Sequence, residues 1–197
     1  MARDDLWSVT DRARWRAALD RYPAMVERQD VKSLRNLDRW YREELPDVIV
    51  GREPRHITLR ELEQVTQWKM ARGVWRGRNL ALVRGNDPER VIAASTDALA
   101  KAPHPTAPIA ELAKLAGVGP ATASAVMAAA EPGIHPFFDD LVAHQIPQLG
   151  EVAYTVGYYA RYATALRERA AELGDAWTPV MVERALWAHA GGKAAAR

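Results

Sequence analysis

Two closely spaced glycines, Gly117 and Gly119, form the part of the sequence best suited to bind a ligand. They lie between an apolar segment that begins at Leu112 and a small-residue segment that ends at Met127, a pattern of two helices joined by a tight turn. Glycine permits positive φ and a close approach of the backbone, and the following Pro120 suits the first turn of a helix. The sequence therefore predicts a helical hairpin with an exposed turn.

The start of the second hairpin helix could hold a phosphate. The first backbone N–H groups of a helix have no partner within that helix, and the helix dipole adds positive potential there. A phosphate bound in this way is held without any reading of bases, which suits DNA binding of low sequence specificity. The turn residues expected to contact DNA are Gly117, Val118, Gly119, Ala121 and Thr122.

Two other interpretations of this turn stay open. A Gly-Val-Gly run can begin a dinucleotide-binding turn, but Thr122 replaces the third glycine and the preceding segment has a helical pattern rather than that of a strand. The turn could also be purely structural, with its glycines needed only to join two packed helices.

The most basic stretch of the chain runs from Lys69 to Arg90 and could attract an anionic partner. It contains six cations against two carboxylates. A solvated helix face is the other explanation for such a run. Arg76 and Arg78 are the cations expected to contact DNA, and the adjacent Trp75 is either a DNA-facing wedge or a packing residue.

Helical patterns dominate the elements that must position these residues. Thr58 and Glu61 stand at capping-box spacing, so a helix is predicted to begin at Thr58. Asp87 and Thr178 each precede a proline that suits the first helical position, and a helix is predicted after each. Further helices are predicted at Thr10–Arg28, Lys32–Glu44, Glu89–Lys101, Ile109–Leu115, Thr122–Ala130, Tyr154–Leu173 and Pro179–His189.

The tyrosines of the predicted helix Tyr154–Leu173 recur every four residues, which places Tyr154, Tyr158 and Tyr162 on one face. Such spacing favours packing in the core. No segment shows the alternating pattern of a strand, so the sequence predicts an all-α fold.

Composition excludes several classes of function. The chain has 197 residues, of which 48% are hydrophobic and 26% charged, as in ordinary globular proteins. Cysteine is absent, which excludes disulfides, a thiol nucleophile and an iron–sulfur cluster. We find neither an apolar run of membrane-spanning length nor the apolar core of a signal peptide, and therefore expect a cytoplasmic protein. The net charge of +2 permits an anionic partner without requiring one.

The run from Leu115 to Ala123, L-A-G-V-G-P-A-T-A, resembles the L-P-G-V-G-x-K-T-A hairpin of the helix-hairpin-helix DNA glycosylases, the endonuclease III-like superfamily. In that family an aspartate follows the lysine position at a characteristic distance, and here Asp139 lies eighteen residues after Ala121. The resemblance covers roughly residues 62–142 and is most specific at the hairpin. The segment Trp177–Trp187 looks like the tail of a subfamily that has neither iron–sulfur cluster nor lyase lysine.

This resemblance implies a catalytic role for Asp139, with Asp140 as the second choice. Such a carboxylate would stabilise an oxocarbenium-like sugar or activate a water. The alternative role for either aspartate is to cap the helix predicted to begin at Leu141. Because Ala121 replaces the family's lyase lysine, the resemblance implies a monofunctional glycosylase, which removes a base without nicking the strand.

The resemblance also implies a base pocket on the helix Leu59–Met70, lined by Gln67, Trp68 and Lys69. Trp68 could stack on a flipped base, although an aromatic residue at helical spacing can equally belong to the core. Family members often hold a monovalent cation in the hairpin, and the backbone carbonyls that would bind Na⁺ or K⁺ here are those of Ala113, Leu115 and Val118. No other cofactor is expected.

Together these observations predict two helical lobes around a central basic cleft, in a single compact unit over residues 1–190. The middle lobe is expected at about 58–130, the terminal helices form the other lobe, and the tail 191–197 frays. We expect a monomer that binds double-stranded DNA, at the nucleoid in a bacterium or in the nucleus of a eukaryote. The alternatives are a non-catalytic DNA-binding module on the same scaffold and, from another class, a protein-interaction scaffold.

Overall fold

The computed structural model describes residues 5–193, and within this range the chain forms helices and no strand. The prediction of an all-α fold is therefore confirmed. The α-helices are α1 (Arg12–Asp20), α2 (Tyr22–Arg28), α3 (Leu34–Arg39), α4 (Leu45–Val50), α5 (Leu59–Arg72), α6 (Gly77–Arg84), α7 (Pro88–Ala100), α8 (Ala107–Leu112), α9 (Pro120–Ala130), α10 (Asp140–Ala143), α11 (Val156–Leu173) and α12 (Pro179–His189), with a π-helical turn at Trp40–Glu44 and a 3₁₀ turn at Pro147–Leu149.

Side-chain caps begin the helices where the sequence predicts them. The Thr58 hydroxyl accepts the N–H of Glu61, and the Glu61 carboxylate accepts the N–H of Thr58, which completes the capping box of α5. Asp87 caps α7 by accepting the N–H of Glu89, and Thr178 caps α12 by accepting the N–H of Met181, each ahead of a proline in the first turn. These signals are local, because a cap and its acceptor lie within a few residues of one another.

Three helical segments differ from the prediction. The predicted helix Thr10–Arg28 is divided into α1 and α2 at Arg21, since Pro23 lies in the first turn of α2 and its ring cannot continue the preceding helix. Helices α4 and α6 were not predicted. Neither has a side-chain cap, and α6 begins with Gly77, a residue that disfavours helix.

Helix α9 lies at the centre of the molecule. Its residues from Thr122 to Ala130 are all buried, and it contacts α4, α5 and α8. Alanine predominates along this helix, which allows the neighbouring helices to approach closely. In a separate contact, α12 packs between α1 and α11. The hairpin helix α9 is thus fixed from several sides, and only its first residues reach the surface.

One prediction about the C-terminal part, the core position of Tyr154, is wrong. Tyr158 and Tyr162 are buried as predicted, but Tyr154 precedes α11 and is 51% exposed, because Thr155 caps the helix and releases the residue before it. Fraying of the tail stays a prediction; at residues 191–193 the Gln29 amide donates to the Gly191 carbonyl at 3.3 Å, and Lys193 bonds to Asp140 at 2.6 Å. Residues 194–197 of that prediction lie outside the described residues.

No helix in the described part of the chain combines the length and apolar character needed to cross a lipid bilayer.

Candidate functional site

A pocket of about 320 Å³ lies where the N-terminus of α9, the end of α5 and the start of α10 meet. Its volume falls at the lower end of the roughly 300–1,000 Å³ typical of ligand pockets. The wall contains both predicted features, the glycine turn and the paired aspartates. It is lined by Lys69, Gly73, Val74, Arg76, Asn79, Gly119, Pro120, Ala121, Thr122, Phe137, Phe138, Asp139, Asp140, Tyr154 and Lys193.

The two glycines of the hairpin turn have different surroundings. Gly117 has a φ of 74°, and a Cβ added there would lie 2.6 Å from the carbonyl oxygen of Asn79 and 2.9 Å from the backbone nitrogen of Val83. Gly119 is exposed, and an added Cβ would meet no atom within 4 Å. Gly117 is therefore required for packing against α6, whereas Gly119 leaves the backbone accessible at the pocket.

Asn86 holds the hairpin turn in place. Its side-chain oxygen accepts the N–H of Ala116 at 2.9 Å, and its side-chain nitrogen donates to the carbonyl of the same residue at 2.9 Å. The same nitrogen also lies 2.9 Å from the carbonyl of Val83 in α6. This side chain thus fixes the turn to the end of α6, and the sequence reasoning did not single it out.

The positive end of α9 borders the pocket. Gly119 is the N-terminal cap of α9 in extended backbone conformation, and no side chain bonds to the first N–H groups of the helix. The predicted DNA-contact residues Ala121 and Thr122 both line the pocket, whereas Val118 is buried and lies outside its wall. An anion in this pocket would meet unpaired N–H groups and a favourable helix dipole.

Asp139 is the N-cap of α10 and also lines the pocket. One carboxylate oxygen accepts the N–H of Leu141 at 2.8 Å, and the other lies 3.6 Å from Nε of Arg72. Burial raises the pKa of this carboxyl, and the charge of Arg72 opposes that rise. Both roles considered for Asp139, the cap and the pocket carboxylate, are therefore compatible with its position.

Asp140 has a different environment, although it is the next residue. Its carboxylate pairs with Lys193 at 2.6 Å. Partial burial acts to raise the pKa of Asp140, but the bond to Lys193 more than offsets this effect and the pKa lies below its ordinary value. Burial, followed by the negative charge of Asp140, raises the pKa of Tyr154 to about 12. Asp140 is thus already neutralised by a cation of the chain.

Arg72 is not part of an exposed basic face, contrary to what the basic stretch suggested. Its guanidinium is buried, pairs with the buried carboxylate of Glu183 and lies 4.5 Å from the ring centre of Trp187. Its Nε has no hydrogen-bond partner and lies 3.6 Å from Asp139. Burial raises the pKa of Glu183, and the charge of Arg72 opposes the rise. Arg72 therefore links the pocket aspartate to the core.

Four of the six cations of the basic stretch form no ion pair with any residue of the described part. One of them, Arg90, is exposed and bonds to the carbonyl of Lys114 at 3.4 Å. Lys69 is half-buried in the pocket wall, where burial and the positive charge of Arg76 lower its pKa. Arg76 is exposed and lines the pocket, and Arg78 is exposed but lies outside its wall. Arg84, by contrast, pairs with Glu63 at 2.6 Å. Two of the unpaired cations, Lys69 and Arg76, therefore line the pocket.

Of the three residues predicted to line a base pocket, one lies in the wall of the observed pocket. Lys69 lines the pocket, but Trp68 is 1% exposed, because it faces the interior side of α5. Its ring stacks on Tyr41 at 3.6 Å and its indole N–H donates to Asp38 at 3.0 Å. Gln67 bonds to Glu63 at 3.2 Å and does not line the pocket. The aromatic walls are instead Phe137, Phe138 and Tyr154.

Short hydrogen bonds fix the segment that carries these aromatic walls. The N–H of Phe138 donates to the Ser124 hydroxyl of α9 at 2.9 Å, and the Tyr162 hydroxyl of α11 donates to the carbonyl of Phe137 at 2.7 Å. Asp139 follows directly in the chain. Its position relative to the hairpin is thus set by bonds to both helices.

Several pocket residues were missed by the sequence reasoning. Lys193 and Asn79 carry no motif, and Lys193 enters the pocket only because the preceding segment packs on Gln29. The exposure of Tyr154 could have been predicted from Thr155, because Thr155 caps the start of α11 and leaves Tyr154 outside the helix. The cation site at the hairpin stays a prediction: the carbonyl of Leu115 accepts the N–H of Val118 at 3.2 Å. Among the described residues, no group of three acidic or histidine side chains could hold a metal ion.

Comparison with protein-family models, with curated proteins and with solved structures gives no match for this chain. Functional inference accordingly rests on the geometry and chemistry of the pocket.

Proposed function

We propose that this protein binds double-stranded DNA with low sequence specificity and acts as a monofunctional DNA glycosylase that uses Asp139. The observation that carries the proposal is the meeting of three features in one pocket: the uncapped N-terminus of α9, the unpaired cations Lys69 and Arg76, and the buried carboxylate of Asp139. In this proposal the pocket is the floor of a central cleft between two helical lobes, and the protein acts as a monomer.

The phosphate backbone would bind first. Phosphate oxygens accept hydrogen bonds from the free N–H groups of the Gly119 turn, and Arg76 and Arg78 neutralise neighbouring phosphates. These contacts read no base, and they would hold the strand beside the pocket. A nucleotide turned out of the duplex would then bring its sugar to Asp139.

Base removal is a hydrolysis. The bond between the base and C1′ of the sugar breaks and its electron pair leaves with the base, while positive charge develops on the sugar. Asp139 stabilises that charge or takes a proton from the water that adds to C1′, and its raised pKa suits the second role. The departing base takes up a proton, either the one that the water gave to Asp139 or one from solvent, and the products are a neutral free base and an abasic site in an intact strand.

One observation favours the second candidate, a non-catalytic DNA-binding module. Both oxygens of Asp139 already have neighbours within the protein, the Leu141 N–H and the Arg72 guanidinium. A carboxylate held in this way is also what a purely structural N-cap requires. The two candidates share the DNA-binding surface and differ only in chemistry.

The deciding experiment compares Asp139→Asn with Asp140→Asn on a panel of damaged duplexes. Asparagine is as good an N-cap as aspartate but carries no charge. We expect the wild type to leave abasic sites that break only after alkali, and Asp139→Asn to be slower by roughly a hundredfold or more with unchanged DNA affinity. Asp140→Asn should lose much less, since Asp140 is paired with Lys193.

Other outcomes would revise the proposal in specific ways. If Asp140→Asn is inactive and Asp139→Asn is not, the catalytic residue is Asp140. If the wild type cleaves no member of the panel but binds DNA, the non-catalytic module is correct. A covalent adduct trapped by borohydride would contradict monofunctional chemistry, and Lys69, the amine in the pocket wall, would then be the residue to replace.

A further inference from the structure

Arg72, the last residue of α5, carries a positive charge inside the protein, directly behind the wall of the pocket. Its side chain is 1% exposed and does not line the pocket. Four aromatic ring centres lie 4.5–5.5 Å from its guanidinium carbon, those of Tyr22, Trp68, Phe137 and Trp187. A charge enclosed in this way is costly unless anionic groups compensate it.

Two buried carboxylates share this cation. Glu183 of α12 faces both terminal nitrogens of the guanidinium. Asp139, at the start of α10, lies 3.6 Å from Nε, which has no hydrogen-bond partner within the described residues. Because Glu183 is bound through the terminal nitrogens, the Nε–H stays free and lies next to the pocket aspartate.

The balance of charge in this cluster is unfavourable to the carboxylates. One positive and two negative groups are withdrawn from water, and burial raises the pKa of Asp139 and raises that of Glu183 to about 7. The charge of Arg72 opposes both rises. Hydrolysis with Asp139 requires its ionised form, whether it stabilises a cation or accepts a proton. Removal of Arg72 would therefore favour the form that cannot act.

The other charged groups that face Asp139 do not replace Arg72. Lys193 lowers the pKa of Asp139 less than Arg72 does, and it bonds to Asp140 at 2.6 Å. The charge of Asp140 raises the pKa of Asp139. The remaining titratable neighbours are Lys69, Tyr154, Tyr162 and Glu183.

We propose that Arg72 is a positioning residue of the pocket: bound by Glu183, it directs its free Nε–H at Asp139 and keeps that carboxylate ionised. Its consequence for catalysis rests on the proposed glycosylase function. Arg72 acts through Asp139 and touches no substrate, since it is buried and lies outside the pocket wall.

The test follows the carboxyl of Asp139 by NMR titration of protein labelled with ¹³C-aspartate, with its signal assigned by its loss in Asp139→Asn. Two variants are compared that differ only at position 72. Glu183→Gln keeps the cation. The double variant Arg72→Met with Glu183→Gln removes the cation and its buried partner charge together, a replacement that buried ion pairs often tolerate.

We expect the pKa of Asp139 to be higher in the double variant than in Glu183→Gln by about one to three pH units, the usual effect of a guanidinium on a neighbouring aspartate. Glu183→Gln should not raise the pKa above that of the wild type. The acid limb of the pH profile of base release should move in the same direction as the titration. A role in packing alone would leave the pKa of Asp139 unmoved.

Arg52→Met with Glu61→Gln is the matched control. Arg52 pairs with Glu61 at 2.7 Å in the first turn of α5, at the opposite end of the helix from Arg72. The same kind of ion pair is removed, and glutamine can keep the capping box. The titration of Asp139 should match that of the wild type.

Equal pKa values of Asp139 in Glu183→Gln and in the double variant would overturn the proposal. If the double variant does not fold, Arg72→Lys takes its place, because a compact ammonium cannot hold two carboxylates as the guanidinium fork does. The pKa of Asp139 should then rise by less, and an unchanged value would overturn the proposal. If the titrations differ as expected but the wild type releases no base from any duplex, the glycosylase function is wrong and the control of Asp139 by Arg72 stands.

Discussion

The two oxygens of the Asp139 carboxylate face different partners, and this separation makes asparagine an informative substitution. One oxygen caps α10 through Leu141, and the other faces the Nε of Arg72, which has no other acceptor. An amide retains one acceptor oxygen but cannot attract the guanidinium. Arg72 keeps its bond to Glu183 in either case. Loss of activity in Asp139→Asn would therefore report on charge rather than on the collapse of the helix cap.

The buried residue His135 gives a prediction about how the stability of the protein depends on pH. The ring of His135 is buried, with Nε2 2.8 Å from the carbonyl of Ala102, and burial lowers its pKa below the ordinary 6.5. The unfolded chain then binds a proton more readily than the folded one. The contribution of His135 to stability is present above about pH 6.5 and is lost as the pH falls through the lowered pKa.

We expect His135→Gln to reduce the loss of stability that the wild type shows between pH 7 and pH 5, measured by urea unfolding at each pH. Asp139 and Glu183 have raised pKa values, so protonation of these carboxylates acts in the opposite direction. Because both carboxylates are retained in the variant, the difference between the two curves isolates His135. An equal loss of unfolding free energy between pH 7 and pH 5 in the wild type and in His135→Gln would contradict the prediction.

Among the elements, the hairpin turn packs against α6 on one side and faces the pocket on the other. Gly117 packs against α6, and Asn86 bonds to both backbone groups of Ala116. Gly119 faces open space at the pocket. The element thus separates a packing glycine from an accessible one within three residues. Substitution at each position should affect a different property.

Gly119→Val should weaken binding to duplex DNA by at least about tenfold, since its side chain would keep a phosphate from the N–H groups of the turn. Its φ of −97° and ψ of −179° suit a β-branched residue, so the melting temperature should stay within about a degree or two of wild type. Fluorescence anisotropy and thermal unfolding provide the two measurements. Equal loss of stability and binding would indicate a purely structural glycine.

Gly117→Ala is the matched control and should show the opposite result. The positive φ and the overlap with the Asn79 carbonyl should lower the free energy of unfolding by about 2 kcal/mol or more. DNA affinity, measured below the melting temperature, should change less than in Gly119→Val. A stable Gly117→Ala variant would contradict the assignment of this glycine to packing.

The elements predicted from sequence are those with local signals. The boundaries of α5 and α12 follow from the caps Thr58 and Thr178, whose partners lie three residues away. Helix α6 has no such signal, because its stability comes from packing against α5 and against the turn at Gly117. Long-range packing of this kind is not encoded in a short window of sequence.

The same distinction applies to the candidate site. The hairpin turn and the position of Asp139 at a helix start could be predicted, because each depends on neighbours in the chain. Whether Trp68 faces the pocket depends on the rotation of α5, which is fixed by distant contacts such as the bond from Trp68 to Asp38, whereas the start of α11 after Tyr154 is set locally by the cap Thr155. Lys193 bonds to Asp140 although 53 residues separate them in the chain, so no short stretch of sequence predicts this contact.

At the scale of the whole molecule, the distribution of charge matters more than its sum. The net charge is only +2, and many surface cations are paired, such as Arg84 with Glu63 and Lys101 with Glu111. Arg76 and Arg78 form no ion pair within the described residues, and Arg76 lines the pocket beside the positive end of α9. If the protein binds DNA as proposed, this placement of charge favours one orientation despite the modest net charge.

This arrangement predicts how salt should act on binding. Each phosphate contact releases condensed counterions, so the logarithm of the association constant falls with the logarithm of salt concentration by about 0.9 per contact. We expect Arg76→Ala and Arg78→Ala each to reduce the magnitude of this slope by about one and to weaken binding of all sequences alike. Anisotropy titrations at several salt concentrations measure this slope for the wild type and for each variant.

Arg35→Ala is the control for this prediction, because Arg35 is exposed, does not line the pocket and pairs with Glu27 at 3.1 Å. Its removal changes the net charge by the same amount as either pocket-side variant, so a general effect of charge would appear in all three. If DNA contacts the side of the molecule that carries the α9 N-terminus, only Arg76→Ala and Arg78→Ala should change the slope. Equal changes in all three variants would mean that DNA binds by overall attraction rather than at this surface, and an unchanged slope in all three would place the DNA on another face.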